Sequence, residues 1–372
     1  MTERGTDTVV VTGASAGVGR ATAIAFARRG FNVGLIARGR EGLEAAKRDV
    51  EAAGRRALVL PLDVADAEAV SAAADRVVAE WGKIDVWVND AMATIFSPVH
   101  EIRPDEFRRV TEVTYLGQVY GTMAALKHMR PRNEGTIVQV GSALSYRAIP
   151  LQSAYCGAKF AIRGFTDALR SELQHDKSRV RLSMVQLPAV NTPQFDWARS
   201  RMHQRLQPVP PIYQPEAIAR QIVRAARNAP RELWIGHSAL KAIIGTLLLP
   251  RLGDHILATE GYEGQLTAEP ARPDRPDNLF EPVSGDPGAH GRFDTQAHRA
   301  VIGFNPAWLR VGAAIMLLGV VASAAALGRA LASSADGALS YTRLADSPML
   351  RSRSGHYSIR PWGKTPDDID DT

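Results

Sequence analysis

The chain has 372 residues, of which 45% are hydrophobic and 23% charged, so it carries enough apolar material for a sizeable core. Its net charge of +6 suits an anionic ligand or a membrane surface, but no Lys/Arg block is dense enough for a nucleic-acid-binding arm. The one cysteine, Cys156, excludes an intrachain disulfide and reads as a small buried residue.

The N-terminal residues enter an apolar strand at once, with no charged-then-apolar leader, so a cytoplasmic location is expected for the catalytic part. Thr8–Gly13, Phe31–Ala37, Arg56–Asp63, Lys83–Asn89, Gly135–Ser142 and Arg179–Leu187 are β-branched runs without alternation, as buried parallel strands are. Arg231–Gly236 offers a seventh run. Ala/Arg/Glu-rich segments of helical length separate them. This alternation predicts an α/β fold over residues 1–250, a doubly wound parallel sheet of the Rossmann type with helices on both faces.

Residues 251–306 are rich in Pro, Gly and Asp, most densely over Ala268–Asp294, and predict an extended, loosely ordered connector. Val311–Gly328 follows, 18 residues without a charge. As one helix it reaches about 27 Å, just short of a hydrocarbon core of about 30 Å. Trp308 and Arg310 precede it and Arg329 follows, where interfacial anchors belong. Residues 307–332 are therefore the candidate transmembrane anchor, the alternative being an Ala-rich helix packed on the domain. Ala242–Pro250 is too short to span a bilayer but suits resting on its surface. Residues 333–372, ending in DDIDDT, read as a polar, disordered tail.

Chemistry concentrates at the ends of the strands. The first strand runs into TGASAGVG, where Gly13, Gly17 and Gly19 permit a tight turn and close approach of a pyrophosphate to the backbone. The helix that follows offers free N–H groups and the positive end of its dipole. Further along, Tyr155 and Lys159 stand four residues apart, on one face of a helix, so an ammonium can act on a phenol.

These motifs, in this order, resemble the classical short-chain dehydrogenase/reductase family over about Thr8 to Gly236. TGASAGVG matches its cofactor loop, including Ser15 and Val18. Asp63, with Val64 beside it, matches the family's aspartate near the adenine ring. Asn89 in VNDAM matches the first Asn of its N-N-A-G. Ser142 precedes Tyr155 by the family's usual 13 residues. YCGAK is its Y-x-x-x-K, and LPAVNTP retains Pro188 and Thr192 of its P-G-x-x-x-T stretch.

The resemblance implies interconversion of a secondary alcohol and a ketone, with a bound nicotinamide supplying the hydride. Tyr155 would be the acid/base, Lys159 would lower its pKa and hold the cofactor ribose, and Ser142 would orient the carbonyl. Ser145 and Tyr146 would line the substrate pocket, and Phe195, Trp197 and Met202 would grip an apolar substrate or close its lid. Ala168–Leu173 would meet a neighbouring subunit in a homodimer or homotetramer. The chain departs from the pattern at Thr114, which occupies the place of the catalytic-tetrad Asn, and at Asp90 and Met92, which replace an Asn and a Gly.

The end of the second strand carries Arg38 and no acid, which favours the 2′-phosphate of NADP(H) over the free hydroxyl of NAD(H). His128, His175 and His203 stand alone, without metal-ligand spacing. Two other functions remain open on this sequence: a non-catalytic NADP(H)-binding sensor or scaffold, and an epimerase or dehydratase of the same fold.

Overall fold

Strand β1 (Thr8–Thr12) is TVVVT, buried along its whole length. Its side chains alternate, so Val9 and Val11 enter one hydrophobic cluster and Val10 enters the other. A computed structural model describes residues 6–272 and 274–345. In chain order the Rossmann part continues with α1 (Gly17–Ala27), β2 (Asn32–Ala37), α2 (Arg40–Ala52), β3 (Ala57–Pro61), α3 (Ala67–Trp81) and β4 (Val86–Asn89). Then come α4 (Pro104–Thr111), a π-turn over Glu112–Leu116, α5 (Gly117–Arg132), β5 (Thr136–Ser142), α6 (Ser153–His175) and β6 (Arg181–Leu187). A short β7 (Gln204–Leu206), α7 (Pro215–Asn228) and β8 (Glu232–Ile235) follow.

The sheet has eight strands in the order β10-β8-β6-β5-β4-β1-β2-β3, where β10 is Gly303–Phe304. All pairings are parallel except β10 on β8. The seven predicted strands are present, each trimmed by a few residues at its ends. The registers Asn89↔Gln139 and Ser142↔Leu187 bring the C-terminal ends of β4, β5 and β6 to one edge, beside the loop after β1. In open α/β sheets that edge is where ligands sit.

The region beyond residue 250 differs from the expected connector. Helices α8 (His237–Leu248) and α9 (Pro250–Glu263) form a hairpin, and β9 (Leu266–Pro270) pairs antiparallel with β7. The Pro/Gly-rich stretch then runs along the domain as an ordered strap. Leu279 is fully buried among core residues, and Phe293 packs with Phe96 and Phe195. Asp294 bonds Asn191 and Gln214, and β10 adds an edge strand to the sheet. Composition misleads here because proline stiffens an extended chain and lowers the entropy lost on docking, while a few apolar anchors suffice to hold it. The first compact unit accordingly extends to Trp308.

Helix α10 (Pro306–Ala345) spans 40 residues. Within it Ala314–Leu331 is long and apolar enough to cross a membrane, and Ile315, Met316, Leu317 and Leu318 are exposed. The helix persists to Ala345, so the first part of the expected disordered tail is helical, as propagation from an established helix favours. Residues 346–372, DDIDDT included, lie outside the described residues.

Because Leu279 is an anchor rather than part of a free connector, Leu279→Ala is expected to lower stability to urea by about 3 kcal/mol. A loss below about 0.5 kcal/mol, the usual figure for an exposed position, would show that the strap is not docked.

Candidate active site

One cavity of about 480 Å³ runs along the C-terminal edge of the sheet, from Gly13 and Arg38 at one end to Ser142, Tyr155 and Lys159 at the other. Three glycines shape its first wall for different reasons. Gly13 takes φ +74°, and a Cβ there would lie 3.0 Å from the backbone of Ala91. Gly17 takes φ +54°, and its Cβ would meet Thr192 Cγ2 at 3.1 Å. Gly19 sits behind the loop, where a Cβ would fall 2.2 Å from the carbonyl oxygen of Gly13. Thr12 Oγ1 ties this loop to the one after β4 by accepting from the N–H groups of Asp90 (3.0 Å) and Ala91 (3.1 Å). Ser15, Val18, Asp63, Val64, Pro188 and Thr192 also line the cavity.

At the far end, β5 delivers Ser142 and α6 delivers Tyr155 and Lys159. Ser142 Oγ accepts the N–H of Leu144 (3.1 Å) and is hydrogen-bonded to Tyr155. Lys159 Nζ lies 5.4 Å from the centroid of the Tyr155 ring and donates to the carbonyl of Val140 at 2.7 Å. Burial pushes the Tyr155 phenol above its ordinary pKa; Cys156 and Asp90 act the same way, and the bond to Ser142 opposes them. The phenol is therefore a protonated donor in this arrangement. Lys159, expected to lower this pKa, is not among the groups that shift it. Burial lowers the pKa of Lys159, opposed by the charge of Asp90; burial raises that of the Asp90 carboxyl, opposed by Lys159.

Several expected site residues take other places. Asn89 is fully buried and does not line the cavity. Its amide donates to Gln118 O, Thr122 Oγ1 and Gln139 Oε1 and accepts from Trp87 Nε1–H. It fixes the framework rather than touching a ligand directly. The Thr114 hydroxyl donates to Ala93 O (2.8 Å) and accepts from Ala93 N–H (2.9 Å), which holds the loop after β4; neither bond is to Lys159. Ser145 is buried with its hydroxyl on the N–H of Ser142. Tyr146 turns away from the cavity, donating to Glu232 (2.5 Å) and packing edge-on against Trp234. Leu144, Ile149 and Gln152 line the substrate end instead. Phe195 and Trp197 do reach the cavity, whereas Met202 packs behind them.

Arg38 lines the cavity, but its guanidinium also reaches the strap, donating to the carbonyls of Asn278, Leu279 (3.4 Å) and Phe280 (2.5 Å). Nearby, Arg109 bridges Asp63 and the carbonyl of Leu279. Asp286 pairs with Arg20 of α1, Gly285 N–H bonds Glu41, and Gly288 O accepts the N–H of Gly17 (3.1 Å). The strap thus forms a wall of the cavity through Asn278, Pro282, Val283, Gly285 and Pro287. The available signal was the alternation of apolar anchors and Asp/Arg partners among the prolines. Helix α8 contributes Ser238, Ala239 and Ala242, and α9 contributes Leu257.

This geometry has close counterparts. A profile of the family described as short chain dehydrogenase matches residues 7–202. The chain belongs to the short-chain dehydrogenase family. It is 31% identical over 308 residues to the uncharacterized oxidoreductase YxnA of Bacillus subtilis (strain 168), covering 81% of this chain and 82% of that protein. That alignment is longer than the family core, so the similarity continues into the C-terminal segment. An alcohol dehydrogenase from the archaeon Thermococcus sibiricus, complexed with 5-hydroxy-NADP, superposes with a TM-score of 0.53 at 28% identity, over 61% of this chain and 95% of that one. A metagenomic short-chain oxidoreductase in complex with NADP gives 0.50 at 28% identity, over 59% and 90%. Family membership makes the protein an oxidoreductase of alcohol and carbonyl groups that uses a nicotinamide cofactor. The residues fit such a group, since Gly13 and Gly17 line the cavity in positive-φ conformations that side chains rarely adopt.

The opposed charges of Asp90 and Lys159 give a direct test. Asp90→Asn removes the charge that supports the ammonium, so the Lys159 pKa falls further and its charge is lost at lower pH. NMR titration of labelled lysine side chains reads this shift. An unchanged or raised Lys159 pKa would show that Asp90 is not its counter-charge.

Proposed function

We propose that the protein is an NADP(H)-dependent oxidoreductase interconverting a secondary alcohol and a ketone on an apolar substrate. The observation that carries this reading is the convergence of Ser142, Tyr155 and Lys159 on one cavity whose adjoining walls are apolar. A bound nicotinamide supplies the hydride. Tyr155 gives its phenolic proton to the carbonyl oxygen in the reductive direction and takes one back in the oxidative direction. Ser142 orients the same oxygen and offsets the charge that develops on it. Lys159, fixed by the carbonyl of Val140, holds the ribose next to the nicotinamide and offsets the negative charge left on Tyr155.

The cationic Arg38 at the opposite end of the cavity supports NADP(H), as do the NADP-type ligands of two related structures. Leu144, Ile149, Val190, Phe195 and Leu257 support an apolar substrate. Helix α10 supports attachment to a membrane, with the catalytic unit on the cytoplasmic side.

Tyr155→Phe is expected to retain NADPH binding and reduce turnover by at least about 10²-fold, the scale of a lost general acid. Turnover within a factor of two of the parent, in a folded protein, would overturn the mechanism. The full chain is expected to sediment with membranes and require detergent. A chain ending at Trp308, which keeps β10, should no longer require detergent and should bind NADPH. A full chain that stays in the supernatant without detergent would rule out the anchor.

A further inference from the structure

The α8–α9 hairpin has two faces with different tasks. Its inner face supplies Ala239, Ala242 and Leu257 to the cavity wall. Its outer face leaves large aliphatic side chains in solvent: Leu248 is 70% exposed, Leu249 58%, Leu252 53% and Ile256 41%. Leu252 and Ile256 are one turn apart on α9, and Leu248 and Leu249 form the turn that precedes it. The four make one apolar tip rather than scattered surface residues, and such a cluster marks an interaction site.

Charge selects the partner. From His237 to Gly253 the only charged side chains are Lys241 and Arg251, both exposed and both cationic. The one acid within the tip, Asp254, is paired with Arg147 at 2.7 Å. An apolar tip flanked by cations matches an interfacial lipid contact, with aliphatic side chains entering the acyl boundary and basic groups meeting anionic headgroups. Four aliphatic side chains fall short of the ~800 Å² per partner that a stable protein interface buries.

We infer that the α8–α9 tip docks on an anionic lipid surface and opens the substrate end of the cavity toward it, so that the substrate is a lipid-dissolved alcohol or ketone. The substrate part rests on the proposed function; the docking part does not. The contact uses residues 248–256 and no residue of α10. A substrate partitioned into the bilayer would then reach Tyr155 along the inner face of the same hairpin that touches the lipid.

The test uses the full chain reconstituted in vesicles. Cys156, the only cysteine, is 2% exposed, so an environment-sensitive dye can be placed selectively on Leu249→Cys. In vesicles of phosphatidylcholine with phosphatidylglycerol, the dye at 249 is expected to gain several-fold in intensity and to be quenched by spin-labelled lipid acyl chains. A dye at Glu68→Cys, on α3, should remain water-like. Leu248→Ser with Leu252→Ser should abolish the gain at 249, while NADPH binding, measured separately, stays unchanged. Water-like emission at 249 overturns the docking, as does equal quenching at 68. A gain that needs no lipid and grows with protein concentration assigns the face to a second copy and also overturns it. If the dye inserts but no ketone is reduced, the docking stands and the proposed function fails.

Discussion

The side-chain amide of Asn89 is the point on which the site depends. It sits in the dry interior at the end of β4, and its donors and acceptor are taken by four groups on β4, β5 and α5. An unmatched amide there would cost on the order of 1–3 kcal/mol, so the three elements are held in one relative position. That position fixes Thr12 Oγ1 under Asp90 and Ala91, and hence the glycine loop beside the β4 end. It also fixes β5, whose last residue is Ser142 and whose Val140 carbonyl receives Lys159. This buried polar node thus helps set the part of the cavity wall formed by the ends of β1, β4 and β5.

The second determinant is the strap. Arg20, Arg38 and Arg109 belong to the Rossmann part, and all three reach residues between Asn278 and Asp286. These three cations secure a covering segment, and Arg38 among them also lines the cavity. Arg38 consequently has two partners to satisfy, strap carbonyls and the proposed 2′-phosphate. Cofactor exchange would require the strap to yield or the guanidinium to divide its donors.

Much of this was legible in the sequence. Seven strands followed from β-branched runs, because a buried parallel strand has no polar face to confuse the reading. Ser142, Tyr155 and Lys159 were reached through the family resemblance of their motifs, and the fold brings all three to one cavity. The misreadings share a cause. Asn89 and Thr114 occupy places where a family pattern implies function, but the side chain's partners come from elements far away in sequence, invisible to spacing. Tyr146 turned away from the cavity because Glu232, 86 residues on, offered its hydroxyl a buried carboxylate. The strap was hidden by composition, because Pro and Gly report on local stiffness and not on whether an anchor such as Leu279 finds a pocket.

In the proposed reaction, hydride passes from a nicotinamide to a carbonyl carbon in this cavity while Tyr155 protonates the oxygen. The most direct measurement incubates the full chain in detergent with NADPH deuterated at the transferable C4 position and a panel of apolar ketones. Mass spectrometry then follows the label. One deuterium on the carbinol carbon of at least one product, with loss of that label from the cofactor, is the predicted result. Protein that binds the deuterated cofactor but passes no label to any ketone, across medium-chain, steroid-like and aromatic members of the panel, would contradict it.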